Sequence, residues 1–98
     1  MSLNSIEDIA TYIVADGKGI LAADESNPTC GKRFDSIGVE STEVNRRDYR
    51  EMLFRSKGMK GNIGGVILFD ETIRQSTDDG TLLRDLISDK GALPGIKV

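Results

Sequence analysis

The sequence predicts an α/β fold built on a parallel sheet, and two observations carry that reading. Two apolar runs, Gly19 to Ala23 and Ile63 to Phe69, each stop at a pair of carboxylates, Asp24-Glu25 and Asp70-Glu71. Continuous apolar runs of this length read as strands buried on both faces. Around them lie segments with apolar residues at helical spacing, and strands alternating with helices read as βαβ units.

The elements follow in order. Ile6, Ile9, Ala10, Ile13 and Val14 recur at helical spacing. Asn4 or Ser5 can cap the first turn, Glu7 and Asp8 suit its positive end, and a helix over 5–14 results. Asp16-Gly17 ends it, and the first strand covers 19–23. Asn27-Pro28 reads as an N-cap and first-turn pair opening a helix over 28–37, which carries Lys32, Arg33 and Phe34 and closes at Gly38. A longer helix over 42–56 starts near Ser41 or Thr42. Glu43, Arg47, Glu51 and Arg55 fall along it at successive four-residue steps with alternating sign, the pattern of a solvated, salt-bridged face. Tyr49, Met52 and Leu53 form the expected apolar side.

The second strand covers 63–69. Asp78-Asp79-Gly80 forms a turn, and Thr81 can cap a helix over 81–89 containing Leu82, Leu83, Leu86 and Ile87, with Gly91 stopping it. Pro94-Gly95 leads into a third strand over 95–98. An open doubly wound sheet and the opening segment of a barrel both accommodate this order. The Gly17-x-Gly19 pair precedes its strand, whereas a dinucleotide loop places its glycines after one, so no nucleotide fingerprint is present.

Composition narrows the function. The 98 residues carry 38% hydrophobic and 30% charged residues, which suits one folded globular domain rather than a disordered chain. A net charge of -3 argues against a nucleic-acid surface, because phosphate backbones call for clustered Lys and Arg in excess. One cysteine, Cys30, forms no internal disulfide and suits a reducing compartment. The sequence has neither a signal-peptide pattern at its start nor an apolar run of membrane-spanning length, so a cytoplasmic protein without membrane contacts is expected. With no histidine at all, Ser-His-Asp and Cys-His nucleophile arrangements are excluded, and any chemistry must come from Asp, Glu, Lys, Arg and hydroxyls.

Ionisable residues recur at one place in the pattern. Asp24, then Asp70 or Glu71, and then Lys97 fall at the ends of successive strands, the edge where parallel α/β folds bind ligands. Asp24 also fits a turn residue. Ser26 and Thr29 lie near the start of the 28–37 helix, where free backbone N–H groups attract anions, and Lys32 and Arg33 follow. A phosphate fits there, as does a simple capped helix with two solvated basic side chains.

The run Gly17 to Glu25, then Lys32-Arg33, Ser36-Ile37-Gly38, Asn45-Arg46-Arg47, Gly64 to Phe69, Glu71-Thr72, Asp79-Gly80 and Pro94 to Val98 resembles class I fructose-bisphosphate aldolase, in order over essentially the whole chain. The resemblance implies that the chain is the N-terminal segment of a (β/α)8 TIM barrel, one incomplete domain over 1–98. It implies reversible cleavage of fructose 1,6-bisphosphate to dihydroxyacetone phosphate and glyceraldehyde 3-phosphate through a lysine Schiff base, with no metal or other cofactor. Asp24 matches the family's active-site aspartate and Lys97 an active-site lysine. Ser26 and Thr29 match hydroxyls associated with phosphate, Lys32 and Arg33 the basic pair beside the site, and Arg46 a weaker substrate contact. Asn27-Pro28 departs from the Thr-Gly often found at that place, which alters the local loop.

The resemblance puts the Schiff-base lysine, with another lysine and a glutamate pair, on later strands. The 98-residue chain alone is therefore expected to be inactive, and the full-length protein to be a homo-oligomer acting on a phosphorylated sugar. Two strands and the start of a third cannot close a barrel and leave edges open to pairing. A non-catalytic interaction module and a phosphosugar-binding domain without turnover are the readings from other classes.

Overall fold

The computed structural model describes residues 4–97. In chain order the elements are α1 (Ile6–Ile13), β1 (Gly19–Ala23), α2 (Asn27–Asp35), α3 (Glu43–Phe54), a 3-10 turn (Lys57–Met59), β2 (Ile63–Leu68), α4 (Asp70–Ile73), α5 (Leu83–Asp89) and β3 (Leu93–Ile96). The three strands make one parallel sheet in the order β1-β2-β3. That confirms the α/β reading and the strand-helix alternation.

Each boundary has a local cause. The Ser5 side chain accepts from the Asp8 N–H at 3.1 Å and so caps α1. Thr42 does the same for α3, accepting from the Asn45 N–H at 3.1 Å. At α2 the cap is Ser26 rather than Asn27, which places Pro28 inside the first turn, where a missing N–H costs nothing.

Several expectations are corrected. A single helical turn, α4, follows β2 directly, because Phe69 is extended and the Thr72 N–H reaches back to its carbonyl. Leu82, not Thr81, precedes α5; the Thr81 N–H is taken by the Asp79 carboxylate instead. The third strand starts at Leu93, and Pro94 lies within it, tolerated because β3 is an edge strand among the described residues. Its expected last residue, Val98, lies outside them. The first strand is not buried on both faces: Ile20 is 51% exposed.

The core lies between the sheet and the helices α3 and α5. Ala23, Val66 and Leu68 from the strands meet Phe54, Leu83, Leu86, Ile87 and Ala92. Burying each large side chain of this set contributes about 1.5–3 kcal/mol. On α3 the inward positions are Arg50 and Phe54, whereas Met52, expected on the apolar side, is 61% exposed. Helix α1 sits close against β2 at Gly64. A Cβ on that glycine would come within 2.2 Å of the Ile13 carbonyl oxygen, so the absence of a side chain is what permits the approach.

Candidate functional site at the strand tips

The register aligns Ala23 with Leu68 and Leu68 with Ile96. Asp24, Phe69 and Lys97 therefore occupy equivalent places, each one residue past its strand. The Lys97 N–H donates to the Leu68 carbonyl at 3.0 Å, which extends the ladder to the last described residue.

Asp24 and Lys97 come together across the tip of the central strand. The Lys97 ammonium donates to the Asp24 backbone carbonyl at 2.8 Å and stands 3.6 Å from its carboxylate. It also lies over the Phe69 ring, 5.4 Å from the centroid, a cation–π arrangement that steers the flexible stem over β2. Both side chains are partly open to solvent and so accessible to a ligand. The other two carboxylates expected at this edge are engaged elsewhere. Asp70 pairs with Arg74 at 3.0 Å within α4 and its C-cap, and Glu71 is taken by Arg46.

Ser26 and Thr29 share a hydrogen bond of 3.1 Å at the start of α2, and among the described residues no side chain, that of the N-cap Ser26 included, makes a capping hydrogen bond there. The two hydroxyls thus stand at the end of the helix that carries free N–H groups. Lys32 is exposed. Arg33 is also exposed, and its guanidinium pairs with the Glu25 carboxylate. Arg46 stands apart from this group. Its Nε and Nη2 donate to the two oxygens of Glu71 at 2.8 and 2.9 Å, and its Nη1 donates to the Ser41 carbonyl and hydroxyl, both at 3.1 Å. All three nitrogens are occupied, so Arg46 serves to tie α3 to α4. The hydrogen bond from Arg46 holds Glu71 below the usual carboxylate range and, reciprocally, raises Arg46.

Position along the strands marks Glu25 only by its place after β1, and Arg50 not at all. In the structure Glu25 is a hub: it accepts from Arg33, from the Tyr49 hydroxyl at 3.2 Å, and from Arg50 on both its backbone carbonyl, at 2.8 Å, and its carboxylate, at 3.4 Å. Burial, then the neighbouring Glu25 charge, pushes the Tyr49 phenol up. Phe34 of α2 meets the Tyr49 ring edge-on at 5.7 Å, so the two helices close around Glu25. A usable signal was present: Arg46, Arg50 and Phe54 lie at four-residue steps and trace one helix face.

A concavity of about 330 Å³ lies between α3 and α4 and is lined by Glu43, Arg47, Glu71 and Arg74 among others. Neither Asp24 nor Lys97 reaches it, so it is separate from the strand-tip group.

The three parallel strands with their flanking helices define an α/β protein, with an acid and an amine meeting at the strand C-termini, the edge where folds of this class place their ligands. Residues 5–98 match the family model for fructose-bisphosphate aldolase class-I, and the chain belongs to that family. It is 55% identical to a fructose-bisphosphate aldolase of Drosophila melanogaster, with 97% of this chain and 27% of that protein covered. It is 50% identical to a probable class 1 fructose-bisphosphate aldolase of Xanthomonas campestris, covering 100% of this chain and 29% of that one. Among solved structures, the fructose-bisphosphate aldolase of Plasmodium falciparum, crystallised with TRAP and a small-molecule inhibitor, superposes with a TM-score of 0.88 at 48% identity. The superposition covers 92% of this chain and 26% of that one. The chain thus spans a little over a quarter of the length of these relatives.

Proposed function

We propose that the native gene product containing these residues is a Schiff-base fructose-bisphosphate aldolase, and that the chain supplies part of its substrate edge within a (β/α)8 barrel. The observation that carries this is the meeting of Asp24 and Lys97 at the strand tips, in a chain whose family membership covers the same residues. Asp24 takes and returns the proton of a sugar hydroxyl as the carbon–carbon bond breaks and forms. Lys97 supplies a positive charge beside it. Ser26 and Thr29, with the free N–H groups at the start of α2, receive a phosphate, and Lys32 and Arg33 add charge on the same side. Arg46 buttresses the site from α3 rather than touching substrate.

The Schiff-base nucleophile is a lysine other than Lys97. A nucleophilic amine needs a pocket that disfavours its charged form, and the Lys97 ammonium is partly exposed and held by oxygens of Asp24. Borohydride reduction of the gene product in the presence of dihydroxyacetone phosphate, followed by peptide mapping, tests this directly. The reading expects one covalent adduct on a lysine outside these 98 residues. An adduct on Lys97, or none, contradicts it. The 98-residue chain alone is expected to cleave no fructose 1,6-bisphosphate, and turnover by that chain that disappears in Asp24→Ala would overturn this expectation. A cytoplasmic location, homo-oligomeric assembly and a phosphorylated sugar as the partner belong to the same proposal.

A further inference from the structure

We propose that Glu25 is a positioning residue which, anchored from below by the buried Arg50, sets the Arg33 guanidinium for a phosphate arriving at the start of α2. The proposal rests on the reading above, in which that end of α2 receives a phosphate.

Three observations converge on it. Arg50 is completely buried, and among the described residues its only hydrogen-bond acceptors are the Glu25 carbonyl and carboxylate. Only its Nη2 is bonded, while Nε and Nη1 have no partner among the described residues; burying a guanidinium is costly, and Glu25 is the group that offsets part of that cost. The Glu25 carboxylate is itself mostly buried, 11% exposed, while its partner Arg33 is 60% exposed. The pair therefore joins a fixed anion to an arginine whose outer face is open to solvent. Finally, the Tyr49 hydroxyl donates to the same Glu25 oxygen that Arg33 uses, so the carboxylate is gripped from α3 before α2 is considered.

An exposed arginine samples many rotamers, and each bond it makes to an anion must first overcome that freedom. A carboxylate fixed on one side of the guanidinium removes most of it and leaves the remaining N–H groups for an oxyanion. Glu25 directly follows Asp24, so Arg50 holds the chain next to the candidate acid and the basic side chain at the same time.

The test is a coupling measurement on the native gene product. In Glu25→Gln the KM for fructose 1,6-bisphosphate is expected to rise about tenfold, as for loss of one charge-assisted hydrogen bond, with kcat within about threefold of wild type. Arg33→Ala raises KM by at least as much, and adding Glu25→Gln to Arg33→Ala raises it no further. Independent, multiplying effects on KM, or an unchanged KM in Glu25→Gln, overturn the proposal, because a residue acting only on stability would not need Arg33. Both variants keep the Glu25 backbone carbonyl that Arg50 reaches at 2.8 Å, and urea unfolding of each variant reports any loss of the buried anchor separately from KM. Nitrogen NMR of the Arg33 guanidinium in the ligand-free protein gives a second readout that needs no turnover. Rotation slowed in wild type and freed in Glu25→Gln supports the proposal, and equal rotation in both overturns it. A wild-type protein that cleaves no sugar phosphate contradicts the proposed function instead, and the NMR comparison then decides whether Glu25 holds Arg33.

Discussion

The Lys97 ammonium reaches the Asp24 carbonyl oxygen at 2.8 Å across 73 residues of chain, from one edge strand of the sheet to the other. The central strand does not separate them, because Phe69 lies at its tip and offers the lysine a ring face to cross. The three strands thus deliver an amine, an aromatic face and a carboxylate to one edge from a common register.

Lys97→Met is expected to separate function from stability. The Lys97 and Asp24 side chains are 44% and 26% exposed, and an ion pair at such exposure contributes about 0–1 kcal/mol. Urea unfolding of the gene product should hardly change, whereas kcat/KM for fructose 1,6-bisphosphate should fall about tenfold or more with the loss of a charge that meets the substrate. A large loss of stability with unchanged kcat/KM would assign Lys97 to the fold.

Arg46→Ala should act on stability. It breaks a two-pronged contact and leaves Glu71, 20% exposed, without its partner, which costs about 2–3 kcal/mol. Its pH signature is defined in sign. Glu71 has a folded-state pKa below its ordinary 4.5, so its contribution is complete above pH 4.5 and is lost as pH falls through the lowered value. Glu71→Gln should remove that part of the acid slope in an unfolding series. An unchanged slope would show that Arg46 does not hold the carboxylate.

Gly64→Ala should loosen α1. The added methyl meets the backbone of Ile13 rather than a movable side chain, and such overpacking costs about 1–3 kcal/mol. Hydrogen exchange should accelerate at the α1 amides with little change in α5. Equal protection of the α1 amides in wild type and Gly64→Ala would contradict the close approach.

The turn at 77–81 gives a local check. The Thr77 hydroxyl and the Thr81 N–H donate to the Asp79 carboxylate and lower its pKa from 3.8 to about 2. In Thr77→Val the Asp79 carboxyl titration, followed by carbon NMR, should move up toward the ordinary aspartate range. A midpoint unaffected by the substitution would place the cause elsewhere.

Most of the fold was legible because apolar runs and helical spacing respond to burial, which the sequence records residue by residue. The Leu83, Leu86, Ile87 stripe lies where that pattern puts it, and the 63–69 run forms its strand over Ile63–Leu68, with Phe69 left to cap the next helix. Helix α4 was not legible, since four residues, Asp70–Ile73, hold no period. The exposure of Ile20 is also outside what a run of apolar residues can tell, because it depends on what covers the strand. At the site, Asp24 and Lys97 were found by position along the strands. Glu25 and Arg50 were not, because their pairing joins positions 25 residues apart on different elements. The alternating charges of α3 were half right: Glu51 pairs with Arg55 at 2.8 Å, but Arg47 turns to Asp48 and Asp78 instead.

The most direct test of the account is steady-state cleavage of fructose 1,6-bisphosphate by the native gene product and its Asp24→Asn variant. Turnover in the wild type, with kcat lowered about a hundredfold or more in a variant that unfolds at the same urea concentration, is the predicted result. A wild type without cleavage, or a variant that turns over at the wild-type rate, would contradict it.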